Sequence, residues 1–299
     1  MILPAWVGAL IGAPWVFAFS PSEVWFIGLG QLLALMLWVS TLRSARQAFV
    51  AGWAFGLASM GVGVSWLYIS LHQYGGLPQW FAVLSLFLFC LYLGLFAGFA
   101  TAGWHVLKTV WSGRWAAWAL PFAFASLWTF FEWFRGYFLS GFAWLSLGDV
   151  FVDSPFSGLL PWLGNHGTSF ALIWLLAALV WPFWSRLKKP APHRPLPAVF
   201  SGVFTAVFPL LLVFGLSQVD IQTRVAGELK MAGVQTNVDQ SIKFDPDMIV
   251  ANMEKVFSLG DSALNMLEPD GALIFPETVN PLLWSDSPPS WLRRFRDFA

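Results

Sequence analysis

The sequence predicts a multi-span α-helical membrane protein followed by the beginning of an α/β domain. Three observations carry this. Of 299 residues, 58% are hydrophobic and only 11% charged, where a soluble domain carries about 25% charged residues. Apolar runs of membrane-crossing length recur from the N-terminus to residue 216, each near the roughly 20 residues a spanning helix needs. Beyond that point the pattern changes to short apolar segments broken by charges and turns. The charge divides in the same place: residues 1–216 carry nine Lys/Arg and four Asp/Glu, and residues 217–299 seven and twelve. An acidic tail does not fit nucleic-acid binding.

Seven spans are expected, at about 3–20, 24–41, 50–71, 80–104, 116–139, 166–184 and 197–216. The N-terminus has no Lys or Arg before Arg43, so it lacks a signal peptide's basic region and reads as a retained first span. The first two spans are short and joined by "SPSE"; two crossings are preferred to a hairpin that dips into the bilayer. Arg43 and Arg46 follow span two, Lys108 and Arg114 span four, and Arg186, Lys188, Lys189 and Arg194 span six, while the alternate connections hold no Lys or Arg. Basic loops stay cytoplasmic, so the N-terminus is expected inside and everything after residue 217 outside.

Within the spans, Glu132 and Arg135 in "TFFEWFRGYF" share a helix face. Ionisable residues in a membrane are costly and usually face a partner or a wet cavity. Two readings stay open: a structural ion pair with Arg135 snorkelling to the interface, or a guanidinium that meets a lipid phosphate. "GLFAG", Gly94 to Gly98, has the small-xxx-small spacing of close helix packing. The stretch 140–156 is too apolar for an ordinary loop yet broken by Gly, Asp and Pro, which suggests a re-entrant segment where a lipid enters. His72, His105, His166 and His193 are scattered and Cys90 is the single cysteine. No metal, cofactor or intrachain disulfide is therefore expected; of the histidines, only His166 in "LGNHGTSF" stays open to a functional role.

The domain boundaries follow as 1–216 for the membrane part, 217–228 for a linker and 229–299 for an incomplete outer domain. Leu229 to Gln235 reads as a buried strand. Asp245 then caps a helix with Pro246 in its first position, and Ile249, Met253, Val256, Phe257, Leu264 and Leu267 recur at helical spacing as its buried stripe. "PDG" turns the chain and Ala272 to Phe275 forms a second strand. A βαβ unit implies parallel strands, with ligands gathering at their carboxyl ends. Gln235 and Glu277 both fall there. From position alone, Glu277 is equally well a solvated turn carboxylate.

Five ordered blocks, "FAFSPSEVW" (17–25), "GVGVSWLYISLHQYGGLP" (61–78), "LWTFFEWFRGYFLSGFAWLSLG" (127–148), "VQTNVDQSIKFDP" (234–246) and "LIFPETVNP" (273–281), resemble the apolipoprotein N-acyltransferases of Gram-negative inner membranes. That family joins a multi-span membrane part to an outward-facing nitrilase-like (carbon–nitrogen hydrolase, α-β-β-α) domain. The resemblance implies transfer of an acyl chain from a phospholipid to the N-terminal amine of a diacylglyceryl-cysteine lipoprotein, through a cysteine thioester. It implies Glu277 as general base, and the lipid bilayer, phospholipid donor and diacylated lipoprotein acceptor as partners; Phe244 at a family aromatic position joins Gln235, Glu132 and Arg135, placed above from their positions, as candidate substrate contacts. Phe244 stands where the family often has Trp. The family's Lys and nucleophilic Cys lie downstream of its Glu and have no counterpart in these residues, so the chain is expected to be inactive alone. The alternatives are a non-enzymatic lipid-binding scaffold and a membrane-tethered amidase.

Overall fold

The computed structural model describes residues 2–111, 116–188, 227–268 and 270–298, with 207, 211, 214 and 215 besides. They fall into two compact units, residues 1–221 and 222–299.

The first unit is helical. Helix α1 (Ile2–Gly12) continues as a 3-10 turn to Ala18, then come α2 (Trp25–Thr41), α3 (Ala45–Gly63), α4 (Gln79–Val110), α5 (Ala116–Arg135) and α6 (Leu160–Lys188). Helix α4 and the stretch Ser157–Trp181 are long and apolar enough to cross a membrane. The pair Ala45–Gly63 and Leu67–Tyr74, bent by 62°, makes a third if it is one span. The first two expected spans form shorter apolar helices, Ile2–Ala18 and Trp25–Thr41. Pro14 starts the change from α to 3-10 geometry in the first, because it brings no N–H to continue the α pattern. Two of the expected spans, at about 50–71 and 116–139, are interrupted or end before their expected limits. Helix α3 ends at Gly63 before the bend, and α5 ends at Arg135, followed by left-handed Leu139, Ser140 and Gly141. The expected span 197–216 lies outside the described residues apart from isolated positions, as do residues 217–226 of the linker.

Backbone proximity holds this unit together. A side chain at Gly94 would meet the carbonyl of Trp53 at 2.8 Å and the amide of Leu57 at 2.9 Å, so the α3–α4 crossing depends on a missing Cβ. That is the close approach which "GLFAG" predicts. Gly8 and Gly12 bring α1 equally close to the backbone of Ala51 and Phe55 on α3. Around this seam the core is aromatic: Trp15, Phe55 and Trp128 contact one another, with Trp15–Phe55 centroids 5.6 Å apart and Phe55–Trp128 5.7 Å, both edge-on, the arrangement ring quadrupoles favour.

The second unit contains β1 (Met231–Gly233), α7 (Ile249–Leu264), β2 (Ala272–Ile274) and α8 (Pro289–Asp297). The strands pair in parallel, with Ala232 opposite Leu273, as the βαβ reading requires. Helix α7 begins three residues later than the Asp245–Pro246 cap predicts. Asp245 instead accepts a hydrogen bond from the Asp247 amide at 3.0 Å, closing a local turn before the helix starts. Met253, Val256 and Phe257 are its buried face, whereas Leu264 is exposed. The amphipathic "SWLRRFRDF" forms α8, and its Trp291, Phe295 and Phe298 complete the small core on Phe257 and Phe275.

Candidate active-site turn and a buried charged cavity

In the second unit, β2 ends and the chain turns through Pro276, Glu277 and Thr278, the last with φ of +55°. The left-handed residue reverses the backbone at once, so Glu277 stands exposed on the turn at the carboxyl end of the strand. Among the described residues its carboxylate accepts no hydrogen bond and forms no ion pair. Its backbone carbonyl accepts one from Lys243 Nζ at 3.4 Å, and that ammonium lies 5.8 Å from the ring centroid of Phe244. A cavity beside the turn is lined by Thr236, Lys243, Asn252, Pro276, Val279 and Pro281. Gln235 and Phe244 are exposed nearby in sequence but are not on that cavity. On the same connection, hydrogen bonds from the Ser241 hydroxyl and amide hold the Asp239 carboxyl below the usual carboxylate range.

Sequence reasoning missed Lys243. It sits in "SIKFDP" one residue before Phe244, and only the return of the chain past β2 reveals that it reaches the glutamate turn.

In the helical unit, Glu132 and Arg135 are both buried, 7% and 4% exposed. They line one cavity of about 40 Å3 with Trp15, Phe55, Leu93 and Trp128. The expected ion pair and snorkelling guanidinium are both corrected. No Arg135 nitrogen comes within salt-bridge distance of Glu132. Arg135 donates instead to Ser146 Oγ and to the sulfur of Met60, each at 3.4 Å. Glu132 Oε1 accepts the amide hydrogen of Leu147 at 2.8 Å, the kind of partner that a buried polar group needs. Its second oxygen lies 4.0 Å from His166 Nδ1, and among the described residues neither atom has a partner within hydrogen-bond geometry. His166 is thus placed beside a buried acid, which its isolated position in the sequence does not disclose. The stretch 140–156 supplies Ser146 and Leu147 and is tied to α6 by a hydrogen bond from Asn165 to Asp149. Cys90 is buried within α4. Among the described residues no group of three His, Cys, Asp or Glu side chains forms a metal site.

Comparison with known proteins gives these features a setting. Residues 11–179 match the family described as the apolipoprotein N-acyltransferase N-terminal domain. The chain is 32% identical over 291 residues to an apolipoprotein N-acyltransferase of Nitrosomonas europaea, covering 97% of this chain and 54% of that protein. It is 34% identical over 293 residues to that of Pseudomonas putida, covering 94% and 53%, and 34% identical over 291 residues to that of Azotobacter vinelandii, covering 94% and 52%. The chain spans about half the length of the curated relatives it matches. With more than half of its residues under the family match, and with membrane helices leading into a parallel βαβ unit, the chain belongs to the apolipoprotein N-acyltransferase family.

Proposed function

We propose that this chain supplies the membrane unit and the general-base turn of an acyltransferase in the bacterial inner membrane. The reaction moves an acyl chain from a phospholipid to the N-terminal amine of a diacylglyceryl-cysteine lipoprotein, through a thioester. The N-terminus is cytoplasmic and the second unit periplasmic. Support comes from the exposed Glu277 on a turn at the carboxyl end of a parallel strand, where α/β folds gather their ligands. Its carboxylate is unencumbered, as a base must be to take a proton from a thiol or an ammonium. Lys243 holds the backbone of that turn, and Gln235 and Phe244, exposed on the connection that carries Lys243, are proposed as substrate contacts. In the membrane unit, Arg135 and Glu132 offer opposite charges at the end of an apolar cavity, suited to lipid.

The lone cysteine, Cys90, is 2% exposed in a membrane helix, so it cannot serve as the nucleophile. Residues 1–299 expressed in a strain lacking the enzyme are therefore expected to leave lipoproteins diacylated. Joined in frame to the C-terminal half of the Pseudomonas putida relative, they are expected to restore triacylated lipoprotein, read by mass spectrometry of the N-terminal peptide. Glu277→Gln in that fusion is expected to lower the product by at least about a hundredfold, the scale of a lost general base. Unchanged product from the Gln variant removes Glu277 from the mechanism.

A further inference from the structure

Leu145 combines features that rarely occur together. It is 8% exposed, its φ is +59°, and its side chain forms part of the cavity wall that Glu132 and Arg135 share. A branched residue in the left-handed region is strained and persists only where its surroundings over-determine it. Here three consecutive residues are gripped from outside their own segment. The indole of Trp15 donates to the Leu145 carbonyl at 3.3 Å, Arg135 donates to Ser146 Oγ, and Glu132 accepts from the Leu147 amide. Below them the end of α3 is cut away: a Cβ on Gly63 would overlap Leu145 Cδ1. The leucine is seated in a notch made for it. The connection has left-handed Leu139, Ser140 and Gly141 on one side and 3-10 turns at Leu147–Phe151 and Ser157–Leu159, anchored by buried Phe151 and Leu159, on the other.

We propose that Leu145–Leu147 is a strained gate over the apolar cavity, held shut by Trp15, Arg135 and Glu132. Release of these three grips lets Leu145 relax out of the left-handed region and leave its notch at Gly63. The walls then exposed are Phe55, Leu93, Phe96 and Trp128 beside Arg135 and Glu132, so the open cavity admits guests that are mainly apolar. Glu132 acts through the backbone of the gate and is a positioning residue.

A thiol placed inside the cavity tests this. Ser59 lines it, is 2% exposed, and bonds only to its own helix, at Gly56. The reporter is Ser59→Cys in a Cys90→Ala background of the whole chain in lipid nanodiscs, labelled with N-ethylmaleimide. With the gate intact labelling is expected to be slow. Adding Glu132→Ala is expected to raise the rate at least tenfold, while native Cys90, which does not line the cavity, stays slow in the same variant with Ser59 unchanged. Ser146→Ala, which removes the acceptor of Arg135 together with the bond that Ser146 Oγ donates to the Ala143 carbonyl, is expected to give a smaller rise confined to Ser59→Cys, and it decides the matter if Glu132→Ala does not fold. Unchanged labelling in Ser146→Ala overturns the gate. A parallel rise at Cys90 also overturns it, because that reports general loosening.

Discussion

Two glutamates show how differently the two units use the same side chain. Glu132 is sealed in a helical unit, bonded through one oxygen to a backbone amide fifteen residues away. Glu277 is exposed at a strand end in a unit whose fully buried hydrophobic cluster numbers only Met253, Val256 and Phe257. The first carboxylate organises backbone, and removing it strands the Leu147 amide. The second organises nothing around it, and its backbone is held from elsewhere, by Lys243. A carboxylate that holds structure is invested in bonds, and one that moves protons has to be free of them.

The sharpest way to break this contrast is to remove each acid. Glu132→Ala is expected to destabilise the helical unit by about 1 to 3 kcal/mol, the cost of leaving the buried Leu147 amide without its acceptor. Glu277→Ala is expected to change stability by less than about 0.5 kcal/mol, as exposed substitutions do. Denaturant titration in mixed micelles measures both, and equal losses at the two sites erase the distinction. The next effect concerns glycines. Gly94→Val forces a side chain into the backbone of α3 and is expected to cost about 1 to 3 kcal/mol. Gly233 in β1 has open space where a Cβ would stand, so Gly233→Ala is expected to be tolerated within about 0.5 kcal/mol. The smallest effect is electrostatic. Arg294 pairs with Asp261 at 2.5 Å with both side chains nearly half exposed, so Arg294→Ala is expected to cost about 0.2 to 1 kcal/mol, with loss of the pair shrinking further in high salt. A larger, salt-independent loss assigns Arg294 to packing on the Phe257 and Phe298 rings instead.

Much of the architecture was legible because it rests on period and composition. Apolar runs located the helices, "GLFAG" located the tight crossing, and the strand–helix–strand rhythm in the tail gave the parallel pairing of β1 and β2. Three kinds of feature were not legible. The first is backbone conformation that ordinary residues adopt under tertiary pressure: nothing about Leu139 or Leu145 announces a positive φ. The second is long-range pairing of a side chain with an amide. The spacing of Glu132 and Arg135 puts them on one helix face, but the bond from Leu147 that draws Glu132 away depends on how 140–156 folds back. The third is competition between local turns and caps: Asp245 had the makings of a helix cap and formed a tighter turn two residues ahead. At the candidate site the sequence located Glu277 and its turn but not Lys243, since the two are brought together only when the chain passes β2.

The two-stranded sheet has a further consequence. Among the described residues β1 and β2 pair only with each other, so each strand presents an outer row of unpaired amides and carbonyls. Met231 and Ile274, at the opposite corners of this ribbon, are both more than half exposed. Short apolar edges of this kind act as templates for strand addition, whether the incoming strand comes from the same polypeptide or from a neighbour. The order of events during synthesis then matters: while these edges stand open, a correct pairing and an aggregate compete for the same row of hydrogen bonds.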